Sequence, residues 1–338
     1  MSGNPSQSPS EAGSIRMDLL TCPRCRSGLS LANDALACEV CHQVYPVVEG
    51  IPCFCDPDPF YDRYSTEHCP FAASPRGLKG IALRVLPFWS WREWKFWRHV
   101  IPTCDRLLDL GCGRGRELFL DRARETVGYD GSLSFLRDCA RRYTSVALGR
   151  LGRLPFRSAA FDVVTSSHAL GHVPPPLKDE LIAEIARVLK PGGTTAHVIE
   201  TDSAHSAVLA AKQDPERYRA QFIDQHGHVG LEPASRMISR FEAQGLRVRH
   251  SRLVDALVPS VLNYRTFFDV PGYADLRELR WVRRLSRWTA KSRLLNAAYE
   301  VGFGAFHGTL EQWLGRPDFA QFVLVSFVKS DRSPSRRA

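Results

Sequence analysis

From residue 106 onward, short continuous apolar runs bounded by turn residues alternate with stretches whose apolar positions recur every three or four residues. RLLDL (106–110) is predicted as a buried strand stopping at Gly111, followed by a helical stretch to about residue 124. ETVGYD (125–130) is a second strand, LSFLRDCARRY (133–143) a helix, TSVAL (144–148) a weak strand and FDVVTSS (161–167) a clearer one. LKDELIAEIARVLK (177–190) has helical spacing and stops at Pro-Gly-Gly, and TTAHVIET (194–201) is the next strand. EPASRMISRFEAQG (232–245) is one more helix, closed by Gly245, before the strand LRVRHSRLV (246–254). The chain then leaves the pattern until FAQFVLVSFVK (319–329) supplies a last apolar strand. The order predicts an α/β fold: a doubly wound, mostly parallel seven-stranded sheet, Rossmann-like, with a helical insertion at about 256–316 before the last strand. An excursion of that length suits a lid or substrate wall.

The front of the chain has a different texture. Residues 1–16 and 330–338 are rich in Ser, Pro and charge and are expected to be disordered tails. Residues 17–55 hold two Cys-x-x-Cys pairs, and YPVVEGIPCF within them reads as short extended segments. Residues 56–104 read as a linker, rich in Pro, Asp and aromatics over 54–77, and a tryptophan-rich stretch, helical after Pro87. WSWREWKFW (89–97) can stack on bases, line an apolar acceptor pocket or, the preferred expectation, pack between the front module and the sheet. The sheet domain itself is placed at 105–329.

The cysteines change the picture most. Cys22 and Cys25, then Cys38 and Cys41, form two turns that can each grip one ion from one side, and the gap between them is enough for a short hairpin. MSGNPSQSPSEAGSIR has no apolar core, so no secretory leader is expected; the chain is placed in the cytoplasm, where thiols stay reduced and structural Zn2+ is favoured over disulfides. Free or redox-active thiols are the other reading. No apolar run approaches the ~18 residues of a membrane span. A formal net charge of +9 adds a mild attraction toward nucleic acid, lipid headgroups or an anionic substrate.

LLDLGCGRGRE places Gly111, Gly113 and Gly115 at the first strand-to-helix turn, where a doubly wound sheet opens its crevice. A nicotinamide fingerprint would need Gly or Ala at 116, which is Arg116. Asp109, two residues before the first glycine, would repel a pyrophosphate but suits an ammonium- or sulfonium-bearing ligand without phosphate; S-adenosylmethionine is one. Asp130, at the end of the second strand, is placed to accept ribose hydroxyls. Both acids could alternatively do no more than cap helices.

LLDLGCGRG, VGYD, LPFRSAAFDVVTSSHALGHV and RVLKPGG, in that order, resemble the class I S-adenosylmethionine-dependent methyltransferases over roughly residues 105–250. The resemblance implies that Asp109, Gly111, Cys112, Gly113 and Gly115 hold the methionine end and that Asp130 and its neighbour Gly131 meet the ribose. Residues 150–151, with Leu151, would flank the adenine, and Ser166 and Ser167 would close the pocket floor. Two positions depart from the family pattern: Arg150 where an acid is usual, and Gly131 where a bulky apolar residue is usual. LLTCPRC and CEVCHQVYPVVEGIP resemble the zinc-ribbon proteins that partner or precede methyltransferases, including activator subunits of tRNA and translation-factor methyltransferases.

No residue pair declares the acceptor chemistry. His172 is the general-base candidate, with His168, His226 and His228 behind it. In 276–293, Arg277, Arg280, Arg283, Arg284, Arg287 and Lys291 share one arc of a helix and Trp281 and Trp288 lie beside it. This fits a solvated face, an anionic substrate, a peripheral membrane contact or RNA phosphates. The preferred reading is a methyltransferase acting on a small-molecule or lipid-like acceptor; an RNA methyltransferase and a non-catalytic binding protein are the alternatives.

Overall fold

The computed structural model describes residues 15–64, 70–273 and 276–330. The two expected disordered tails therefore fall, but for residues 15, 16 and 330, outside the described residues.

Seven strands make the main sheet. β5 (Cys104–Leu110), β6 (Ala123–Asp130), β7 (Ser145–Leu148), β8 (Phe161–Ser167) and β9 (Leu189–Glu200) run parallel, while β11 (Phe322–Lys329) lies antiparallel between β9 and β10 (Leu246–Val254). The order across the sheet is β10-β11-β9-β8-β5-β6-β7. Central strands are apolar on both faces because helices cover both; Leu107 to Leu110 are all buried. β10 is an edge, and its exposed Arg247, Arg249 and Arg252 discourage pairing with another chain.

One face packs against Pro175–Val188 through Leu181, Ile182 and Ile185, and against Ala234–Ala243, where Phe241 stacks on Phe327 at 4.5 Å. The other face buries Trp89, Phe96 and Trp97 against Leu107, Phe119, Val163 and Val198. Trp89 also meets Phe303 of the insertion edge-on at 5.5 Å. The tryptophan stretch thus fills the space between sheet and insertion, not between the front module and the sheet. Its helices begin earlier than the pattern suggests: Gly77–Val85 precedes Pro87, then Trp89–Trp91 and Arg92–Val100 follow.

Three further boundaries differ. The helix after the glycine turn is only Glu117–Leu120 before β6 begins. The Pro175–Val188 helix passes directly into β9, which runs through Pro-Gly-Gly rather than starting after it. The basic segment 276–293 is a 3-10 turn, Arg277–Leu279, running into the helix Arg280–Thr289; it stops before Lys291, and a separate helix, Arg293–Gly308, starts where the Ser292 hydroxyl accepts from the amide of Leu294.

The insertion between β10 and β11 forms one apolar cluster with helices from the 206–224 segment, joining Ala207, Val208 and Phe222 to Val261, Tyr264 and Leu279. A buried polar knot ties it to the sheet: Asp255 accepts from Ser260 Oγ at 2.9 Å and Asn263 Nδ2 at 2.8 Å, and Glu311 accepts from the amides of Ala256 and Leu257 at 2.6 and 3.1 Å.

At the front, β1 (Leu29–Ala32), β2 (Ala35–Cys38), β3 (Val44–Val48) and β4 (Ile51–Pro52) form a small antiparallel sheet. Just after β4, Cys53 forms a single parallel bridge to Leu148, the last residue of β7, so the module abuts the main sheet at the end of that strand. Thr21 N–H donates to Pro155 O, Arg157 N–H donates to Leu19 O, and Arg26 pairs with Glu184 at 2.7 Å. Leu19, Leu20 and Leu36 share a core with Leu154 and Phe156.

Candidate functional site

The two cysteine turns are built alike. In each, the first cysteine's amide reaches a carbonyl five residues on and its carbonyl accepts from the amide four residues on: Cys22 with Ser27 and Arg26, Cys38 with Gln43 and His42. Arg26 and His42 take left-handed φ values of 69° and 56° to close them. The Sγ atoms of Cys22 and Cys41 lie 3.6 Å apart and those of Cys25 and Cys38 3.4 Å, with all four within 4.8 Å of one another. A tetrahedral Zn2+ with Zn–S bonds of ~2.3 Å needs sulfurs about 3.8 Å apart, so the donor set fits that ion. The Tyr45 hydroxyl lies 3.3 Å from Cys22 Sγ, an outer-shell partner for a thiolate.

The crevice lies at the C-terminal ends of β5, β6, β7 and β8. Gly111, Gly113 and Gly115 all have positive φ, 65°, 51° and 87°. A Cβ on Gly111 would stand 2.7 Å from Ala169 Cβ, and one on Gly115 2.8 Å from the Tyr143 ring, so this turn tolerates glycine alone. Asp109 is buried beneath it, accepting from Tyr143 Oη at 2.9 Å and Thr165 Oγ1 at 3.1 Å. Burial pushes its carboxyl up to about 6, against the pull of Arg116 and of those two hydroxyls. Asp130 is held at the mouth, Oδ2 accepting from Gly113 N–H and Oδ1 from Ser132 N–H, each at 2.9 Å. Burial raises its pKa as well, opposed by those amides.

Gly131 directly follows β6, Leu151 lies three residues beyond β7 and Ser167 ends β8. Ser167 Oγ is buried with no hydrogen-bond partner among the described residues. Ser166 points to the opposite face, its hydroxyl 2.7 Å from His197 Nδ1. Arg150 is exposed, and its carbonyl accepts from Tyr129 Oη at 3.1 Å. The segment read as a linker roofs the crevice. Asp58 N–H donates to Gly131 O at 3.1 Å, and Ala72 N–H donates to Gly115 O at 3.1 Å. A Cβ on Gly131 would already touch Tyr61 at 3.5 Å. Tyr61, from the roof helix Pro59–Tyr64, thus lies against the position where the family pattern expects a bulky residue.

Beyond the roof helix lie the histidines. Tyr61 meets His172 edge-on at 5.7 Å, His172 lies 5.3 Å from His228, and His228 stacks on His226 at 5.8 Å. The sequence singles out these histidines but not the two acids that organise them. Glu200, the last residue of β9, is 2.6 Å from His168 Nδ1; Glu93, from the tryptophan-rich helix, is 3.0 Å from His168 Nε2. Burial opposes charge on His168, yet the two carboxylates outweigh it and push its pKa up to about 10. Burial lowers His172, and takes His228 down to about 4. An acid ending a strand at the crevice rim was the available signal for Glu200; Glu93 had none. Glu200 and His228 also border a small cavity of about 30 Å3 walled by Tyr218, Phe222 and Phe267.

On the insertion, Trp281, Leu285, Phe303 and Phe306 line an open apolar groove of about 450 Å3. Trp281 and Trp288 are 41% and 43% exposed on the same helix as exposed Arg280, Arg284 and Arg287.

A sheet of this order, with a glycine turn over a buried acid and a second acid at the next strand end, is the class I S-adenosylmethionine-dependent methyltransferase fold, here preceded by a zinc-ribbon-like module. Residues 108–197 match the family described as methyltransferase domain, and residues 17–50 the family described as Trm112p-like protein. Over 118 residues the chain is 38% identical to demethylmenaquinone methyltransferase of Renibacterium salmoninarum, covering 32% of this chain and 48% of that one. It is 26% identical over 129 residues to tRNA (carboxymethyluridine(34)-5-O)-methyltransferase of Arabidopsis thaliana, covering 38% and 32%. The chain thus spans half or less of the length of these curated relatives. Among solved structures, a complex containing the Haloferax volcanii Trm112 methyltransferase activator overlays at a TM-score of 0.43 with 18% identity, covering 75% of this chain and 93% of that one. Among the described residues no helix is long and apolar enough to cross a membrane.

Proposed function

We propose that the protein transfers a methyl group from S-adenosylmethionine to a small, lipid-like acceptor, with Zn2+ held structurally by Cys22, Cys25, Cys38 and Cys41. The donor's sulfonium supplies an electrophilic methyl when bound. The residues present fit such a donor: the glycine turn admits close approach to its backbone, Asp109 puts negative charge beneath it, and Asp130 is pre-aimed for ribose hydroxyls. Gly131, Leu151 and Ser167 complete the rim, and the roof helix keeps water from the crevice.

The observation that carries the acceptor reading is the enclosure of the histidine cluster by two separate covers, the Pro59–Tyr64 helix and the aromatic wall that Tyr218 and Phe222 form with Phe267 of the insertion. An acceptor that reaches His172 must pass between aromatic rings, which suits a compact or prenyl-like molecule. The groove flanked by Trp281 and the arginines supports delivery from an anionic bilayer surface, with tryptophans at the interface and guanidinium groups on phosphates. Similarity to a demethylmenaquinone methyltransferase agrees with this reading; similarity to a tRNA methyltransferase, together with the arginines, favours RNA instead.

Incubation of the chain with methyl-labelled S-adenosylmethionine and a cell extract decides between them. Label is expected in the solvent-extractable fraction and insensitive to ribonuclease. Label confined to RNA would overturn the acceptor, and absence of any calorimetric heat with S-adenosylmethionine would overturn the activity.

A further inference from the structure

Three side chains from three separate elements converge beside the crevice. His172 follows β8, Glu200 ends β9 and His228 lies on the loop before Ala234–Ala243; one ligand atom from each falls within 4.8 Å of the others, as the four ribbon sulfurs do. All three are mostly or wholly buried. Glu200 uses Oε1 to accept from His168, while its Oε2 is buried with no hydrogen-bond partner among the described residues. A buried carboxylate oxygen without a donor is costly, and such an atom in a native fold asks for an unseen partner.

The loop is shaped to let the imidazole in. Gly227 has φ 71°, and a Cβ there would lie 2.9 Å from His172 Nδ1, so any other residue would crowd the ring. Behind the carboxylate, His168 is braced in turn by Glu93 at 3.0 Å. A ligating carboxylate held from behind by an imidazole, itself held by a second acid, is the kind of outer shell that metal sites use to fix their ligands.

We infer that His172, Glu200 and His228 form a second metal site, which takes a divalent transition ion of the zinc class. Two imidazoles and one carboxylate satisfy such an ion incompletely and leave coordination positions open. An acceptor oxygen would be bound and oriented at those positions, a role that rests on the proposed methyl transfer. His172 is then a ligand rather than a free base. The site does not depend on the identity of the methyl donor.

The test uses the full chain, purified without an affinity tag and saturated with Co2+, with metal content measured by mass spectrometry after desalting. Co2+ on the ribbon thiolates gives intense near-ultraviolet charge-transfer bands; Co2+ on imidazole and carboxylate gives only weak visible ones, so the sites are read separately. The wild-type chain is expected to hold one equivalent at the thiolates and a second with the visible signature. Glu200→Gln and His228→Ala should each lose the second equivalent and keep the first. The volume-preserving His228→Gln, checked by circular dichroism and by S-adenosylhomocysteine binding, guards against a merely misfolded variant. Retention of both equivalents by the folded variants, or a wild-type content that stops at the thiolate equivalent, overturns the site. Loss of donor binding with the second equivalent intact would instead count against the methyltransferase reading alone.

Discussion

The glycine-turn half of the crevice, proposed for the donor, and the histidine half, proposed for the acceptor, are held by different means. On the donor side the geometry belongs to the backbone: three positive-φ glycines, and Asp130 clamped by amides of Gly113 and Ser132. On the acceptor side it belongs to side chains drawn from far apart, with Glu93 and Glu200 meeting at His168 across 75 and 32 residues. A backbone-defined site varies little among chains that share it, whereas one assembled from side chains can be re-specified by single substitutions. The proposed donor site is accordingly the more general feature of this molecule and the proposed acceptor site the more particular.

Substitutions can break that contrast, the most severe first. Gly111→Val forces a branched side chain into positive φ and onto Ala169, and should abolish S-adenosylhomocysteine binding in calorimetry, a loss of about 100-fold or more. If Gly111→Val binds normally, the turn is not the donor cradle. Asp130→Ala removes a charged acceptor and should weaken the same ligand about 10- to 100-fold, ~1.5–3 kcal/mol, with the melting temperature changed far less.

Charge reversal at Arg284 and Arg287 comes next in size and reports on the acceptor half alone. The Arg284→Glu, Arg287→Glu pair should weaken co-sedimentation with phosphatidylserine vesicles by about 1 kcal/mol per arginine at moderate salt while donor affinity stays unchanged. Equal binding to neutral and anionic vesicles in the parent chain would remove the membrane reading.

A pH titration gives the finest contrast. Asp109 is ionised above about 6 and neutral below. A ligand bearing an ammonium prefers the ionised form, so donor affinity should be full above that point and fall by up to about tenfold per unit beneath it. The same raised value means that folding takes up a proton at this carboxyl, so acidification through this window favours the fold at Asp109; weakened binding there is not unfolding. Flat affinity from pH 7 to 5 would show that Asp109 only supports the turn through Tyr143 and Thr165.

How much was legible follows the same division. The strands from β5 to β11, the glycine turn and both donor-side acids could be read because periodicity and a local motif report contacts close in sequence. The four histidines were visible one by one, but the convergence of His168, His172 and His228 on Glu200 was not, since nothing local to His228 marks a partner in β9. The roof over the crevice was missed because DPFYDRY looks like a linker by composition. Its helix is defined by what it covers, Gly131 and His172, not by its own pattern. The tryptophan stretch was expected against the front module because the two are neighbours in sequence; the sheet's apolar face and the insertion compete for it more strongly.

The parallel bridge from Cys53 to Leu148 gives the front module a role unrelated to methyl transfer. β7 would otherwise end the sheet as a bare border of four buried residues, open to adhesion by any extended chain. The module covers the end of that border at Leu148, where Phe54 N–H also donates to Leu148 O at 2.8 Å, and a structural ion would keep that cover in shape. Chelation would then be felt first as self-association of the whole molecule, before any change at the crevice itself.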